Sequence, residues 1–174
     1  LNRPLGPPPS FYALLLADGD LLGQLVGKLG GESVGRALSS FTRKVPQIVR
    51  EYDGVTVYTG GDDVLAMLPV PGALPCARQL AREYVTAFDG VTTGADATLS
   101  AAVVFAHARL PLGAVIREAH RLLDDVAKDG NGRSSLAAEV LKRGGPHCQW
   151  VSTWTRQELE GEASDAADLL QRLV

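Results

Sequence analysis

The chain is short of the residues that many functions need. It has two cysteines in 174 residues, Cys76 and Cys148, 72 positions apart and with no CxxC. That argues against a disulfide framework or a cysteine metal site and leaves two reduced thiols, so a cytoplasmic setting is expected. Its three histidines, His107, His120 and His147, have no metal-ligand spacing. Apolar runs are short: the longest, "FYALLLA" (11–17), stops at Asp18, far below the roughly 18 residues of a membrane span. The opening "LNRPLGPPPS" lacks the pattern of a signal peptide and reads as a linker, as if cut from something longer. Excess positive charge is missing too. The net charge is −3, which gives no electrostatic case for nucleic-acid binding, although 105–145 is mildly basic, with seven Lys/Arg against five Asp/Glu.

What is present is ordinary for a globular domain: 45% apolar and 21% charged residues, enough for a real core. "FYALLLA" reads as a buried strand. Residues 21–29 read as a short helix that "GG" at 30–31 breaks, with Ser33 capping the next segment. Val34, Ala37, Leu38, Phe41, Val45, Ile48 and Val49 recur at helical spacing over 34–52, with Pro46 expected to kink or divide that helix. "GVTVY" (54–58) and "DVLAML" (63–68) are strands joined by a glycine-rich turn. Next come a helix over 73–88, a strand over 98–106 and a helix over 112–128. "SSLAAEVL" (134–141) fits strand or helix, and "QWVSTW" (149–154) fits one more short strand. The expected organisation is a linker (1–10), one domain (11–154) and a helical tail (155–174).

Through residue 106 the order is β-α-β-β-α-β. It predicts an α+β, ferredoxin-like antiparallel sheet with helices on one face. In that topology the first strand lies beside the central hairpin. Asp18 then sits near Asp62 and Asp63 in "VYTGGDDVLAML" (57–68). Three converging carboxylates repel by several kcal/mol at intermediate dielectric, as an order of magnitude, unless a cation joins them. Their hard oxygens suit two Mg²⁺ or Mn²⁺ ions, and Gly60 and Gly61 would let phosphates approach the backbone. The plainer reading of "GGDD" is a solvated turn. Asp20 reads as an N-cap of helix 21–29, and Asp53 as turn chemistry.

"FYALLLADGDLLGQL", "VYTGGDDVLAMLP", "AHARLPLGAVIREAHRLLDDVAK" and "VLKRGG…W…W" together resemble the large polymerase-like subunit of type III CRISPR effector complexes, the Cmr-type (III-B) branch above all. The resemblance covers about residues 7–154. It implies the second palm domain of that subunit, related to nucleotide-cyclase and GGDEF palms. In that family the palm joins ATP 3′–5′ into cyclic oligoadenylates when the complex binds target RNA. Carried over by position, Asp18 and Asp62 are the shared metal ligands, Asp63 is the hairpin's second ligand, and the Gly19 carbonyl completes a metal shell. Lys128 matches the phosphate-binding lysine of related palms, and its plain alternative is a helix-end lysine favoured by the helix dipole. Arg133 is a further triphosphate candidate, and Gly60 and Gly61 cradle the triphosphate.

The implied partners are ATP, the other subunits, guide and target RNA through the complex, and a second palm or second copy, with no membrane. His107 reads as a structural strand-end histidine, Trp150 and Trp154 as core or interface, and Cys76 as core. The sequence departs from the family at Gly35, where Ser usually faces the base, and it shows no His-Asp dipeptide for an HD nuclease. Two rival readings are a non-catalytic scaffold or RNA-contacting palm and a GGDEF-type diguanylate cyclase. The guanine-reading residues of the latter are not evident, since Val26 and Gly35 stand near their places.

Overall fold

The computed structural model describes residues 9–91 and 97–155. The tail expected to be helical lies outside them, apart from Thr155. Six strands form one sheet in the order β2-β3-β1-β4-β5-β6. They are β1 (Phe11–Gly19), β2 (Val55–Gly60), β3 (Asp63–Leu68), β4 (Leu99–His107), β5 (Ser135–Lys142) and β6 (Gly145–Thr153). The first four give the expected ferredoxin-like core, with β1 antiparallel to both β3 and β4. β5 then adds parallel to β4, and β6 antiparallel to β5.

β1 is central and buried on both faces, which is why it reads as an unbroken apolar run. Its side chains alternate between two cores. Ala13, Leu15 and Ala17 pack against α1 (Leu22–Leu29), α2 (Gly31–Glu51) and α3 (Val70–Ala87). Leu14 and Leu16 pack on the opposite face against α4 (Leu112–Arg121) and the segment that continues it. Each fully buried Leu contributes roughly 1.5–3 kcal/mol relative to exposure. The two helices of the core unit thus share one face, as expected, and α4 covers the other.

Several local expectations change. Pro46 does not divide α2, which runs unbroken for 21 residues. Ser33 is not its cap: Gly30 holds that position and Ser33 lies inside the helix. Asp20 does not cap α1 either; Leu21 occupies the N-cap at φ 54°. The helix expected over 112–128 is α-helical only to Arg121, and then widens into a π-helical stretch, Leu122–Gly130. Such stretches frequently occur at functional sites. The ambiguous 134–141 run is a strand, and its partner is longer than the sequence suggested.

Candidate active site

The site forms where the C-terminal end of β1 meets the β2–β3 turn. Register fixes this: Ala17 pairs with Val64, and Gly60 with Asp63. Gly61 turns the tip at φ +66°, a conformation that glycine adopts without strain. The Thr42 hydroxyl on α2 donates to the Gly61 carbonyl at 3.0 Å and ties the tip down. One carboxylate oxygen from each of Asp18, Asp62 and Asp63 then lies within 4.8 Å of the others. At such separations each like-charge pair costs roughly 3–4 kcal/mol at an effective dielectric of about 20.

The protein answers this repulsion in two ways. Lys128, carried by the π-helical stretch, forms an ion pair with Asp18. The Asp62 carboxyl is pushed up to about 6, first by burial and then by the charges of Asp18 and Asp63. Asp63 is raised too, by burial and then by Asp18. Three hard oxygen donors, two of them (Asp62 and Asp63) with raised proton affinity, fit a divalent cation. The buried hydroxyl of Tyr84 also reaches this place: a Cβ on residue 19 would lie 2.3 Å from the Tyr84 Oη and 2.8 Å from the Asp62 Cβ. That hydroxyl has no hydrogen-bond partner among the described residues.

The other candidates fall around this cluster. Gly61 lines an open cleft of about 480 Å³ with Gly35, Leu38, Ser39, Thr42 and Arg43. A side chain on Gly35 would meet nothing within 4 Å, and one turn on, Ser39 Oγ donates to the Gly35 carbonyl at 2.8 Å. Gly60 instead lies under the Tyr58 hydroxyl. Arg133, at φ 72°, lines a separate cleft of about 230 Å³ with Asp20, Lys28 and Ser134, and its guanidinium is 3.5 Å from Asp129.

Asp20 plays a part that sequence reasoning missed. It is 2% exposed and accepts hydrogen bonds from Thr98 Oγ1 (2.8 Å), Ser100 Oγ (2.8 Å) and the Ser134 amide (2.9 Å). It therefore pins the end of β1 to β4 and to the loop after Lys128. Tyr84 was legible only as one member of an apolar stripe. The available signal was a hydroxyl on a face with no other polar group. The structural reading of His107 holds: its Nδ1 accepts from the Arg109 amide at 3.1 Å and its ring meets Phe11 edge-on. Trp154 is core, with Nε1 donating to the Leu99 carbonyl at 2.9 Å, and Trp150 packs against the same cluster. Cys76 is core as well, its thiol pushed up to about 12 by burial.

The family model for the second palm domain of Cas10/Cmr2 matches residues 11–137. The chain belongs to this family. The CRISPR system Cmr subunit Cmr2 of Pyrococcus furiosus is 31% identical over 182 residues, which span 87% of this chain and 21% of that protein. Its counterpart from Saccharolobus solfataricus is 29% identical over 134 residues, 64% of this chain and 12% of that protein. The chain thus spans about a fifth or less of the length of these relatives. Among solved structures, the guanylyl cyclase Cya2 superposes with a TM-score of 0.58 at 12% identity, over 74% of each chain. The active GGEEF domain of a diguanylate cyclase from Vibrio cholerae gives 0.54 at 16% identity, over 77% of this chain and 85% of that one. The Cas10/Cmr2 palm therefore has the ferredoxin-like core expected from the order of its strands and shares its fold with cyclase and GGDEF domains, as the resemblance implied. No helix among the described residues is long and apolar enough to cross a membrane.

Proposed function

We infer that this Cas10/Cmr2 palm is a metal-dependent nucleotidyltransferase that joins ATP 3′–5′ into cyclic oligoadenylates, as part of a type III CRISPR effector triggered by target RNA. The observation that carries this reading is the meeting of three carboxylate oxygens within 4.8 Å, beside an open cleft and a lysine. Asp18 and Asp62 would hold two Mg²⁺ or Mn²⁺ ions, with Asp63 and the Gly19 carbonyl completing the set. Such ions lower the pKa of an attacking 3′-hydroxyl and steady the leaving oxygen.

The chain's own groups bind and orient the substrate. Lys128 would release Asp18 and neutralise the triphosphate, with Arg133 as a second, more distant cation. Gly61 leaves its side open for phosphates, and Gly60 would do so once the exposed Tyr58 side chain moves aside. The cleft at Gly35 would take the base, with the Ser39 hydroxyl at its wall. A partner palm, in a second copy or elsewhere in the subunit, would present the other ATP.

The test is thermal melting with Mg²⁺ and ATP. Ligands that bind only the folded state raise Tm in proportion to ln(1 + [L]/Kd). A rise in the wild type, lost in Asp62→Ala/Asp63→Ala, is the expected result. No rise at millimolar Mg²⁺ and ATP would leave the scaffold reading standing.

A further inference from the structure

We propose that Tyr84 is a positioning residue for the acidic cradle: its hydroxyl donates a hydrogen bond to the Asp62 carboxylate when a divalent cation is held, fixing the rotamer that Asp62 needs. This rests on the metal-cradle reading above. Tyr84 is fully buried, and its ring is held by Phe41 and Phe88, with centroids 5.1 Å away in each case. Packing therefore fixes the ring and leaves only the hydroxyl end uncommitted.

That end sits in the space left by the missing side chain of Gly19, the same gap that Asp62 borders. It is one of four buried side-chain polar atoms without a partner among the described residues. Buried donors are nearly always paired in folded proteins, because an unpaired one forfeits its bond to water. A phenylalanine would fill the hydrophobic role without this loss. The hydroxyl keeps its proton, since burial raises its pKa and the nearby charges of Asp62 and Asp18 raise it further. It is a donor beside a carboxylate, waiting for that carboxylate to turn. Partners behind metal ligands orient them, and their loss typically weakens metal binding by roughly 10–100-fold.

The experiment is an Mn²⁺ titration followed by electron paramagnetic resonance, without nucleotide, on wild type, Tyr84→Phe and Asp62→Asn. Tyr84→Phe should bind Mn²⁺ about tenfold or more weakly, with a metal-free Tm equal to or above that of wild type. Equal Mn²⁺ affinity in wild type and Tyr84→Phe, with binding lost in Asp62→Asn, overturns this role for Tyr84 and leaves the cradle intact. Wild type that binds no Mn²⁺ overturns both. As a second readout independent of folding in the variant, the Tyr84 hydroxyl proton can be assigned by its contacts to the Phe41 and Phe88 rings. It should move downfield on addition of Mg²⁺, and a proton that stays in place also refutes the proposal.

Discussion

Lys128 pairs with Asp18 across 110 residues of sequence, from the π-helical stretch on one side of the sheet to the end of its central strand. The ammonium stands where a cation would be wanted by three carboxylates. In the metal-free chain it is the nearest counter-charge, and a divalent ion must displace it.

Lys128→Met should therefore bind Mn²⁺ several-fold more tightly in the absence of nucleotide. It should bind ATP with Mg²⁺ about tenfold more weakly, the expected loss for one charge-assisted hydrogen bond. Isothermal titration calorimetry reads both. If neither affinity changes, Lys128 is only a helix-end cation.

The pH dependence of stability has a definite sign. The Asp62 carboxyl lies at about 6 in the fold against 3.8 ordinarily, so the native state binds its proton more tightly than the unfolded chain. Stability of the metal-free protein should fall as pH rises through that window and level off above it. Glu139, 1% exposed beneath α4 and raised to about 7 by burial and by Glu118, adds the same slope up to neutral pH. Urea midpoints from pH 4 to 8 should show the decline. Asp62→Asn should flatten its lower part and Glu139→Gln its upper part. Stabilisation by Mg²⁺ should run the other way and fade below pH 6, where protons compete for Asp62.

Asp20→Ala should cost roughly 3 kcal/mol or more, because it strips three donors of a buried charged acceptor. Asp20→Asn, which keeps one oxygen, should cost less. Chemical denaturation measures both. A loss below about 1 kcal/mol for the alanine variant would mean that the loop after Lys128 is held by something else.

Gly19→Ala should be harmful although alanine is small. Its methyl would collide with the hydroxyl of Tyr84, whose ring is locked in the core, and with the Cβ of Asp62 at the half-buried hairpin tip, so relief of the clash moves the cradle. A stability loss of about 1–3 kcal/mol together with loss of Mn²⁺ binding is expected. A variant that melts and binds Mn²⁺ like wild type would contradict the close approach seen at this strand end.

Much of the architecture could be read along the chain. The apolar run before Asp18 marked a central strand, and the glycine-rich turn marked a hairpin. The strand order then placed Asp18 beside Asp62 and Asp63. These inferences rest on periodicity and on turn chemistry, which are local. The α–π transition after Arg121 was not legible, because the same apolar stripe serves either winding and packing against β4 and β5 selects between them. The run 134–141 was ambiguous because its alanines suit a helix, and only pairing between β4 and β6 makes it a strand.

The sequence by itself determined the fold type and the acidic triad, since strand order and residue spacing suffice for both. Tertiary structure alone decided how the triad is tuned. Lys128 reaches Asp18 from 110 positions away, and Asp20 takes its partners from 78, 80 and 114 positions away. Tyr84 meets the cluster only because Gly19 leaves room for its hydroxyl. Each of these depends on burial and on distances through space, which arise from packing across the sheet and leave no periodic trace along the chain.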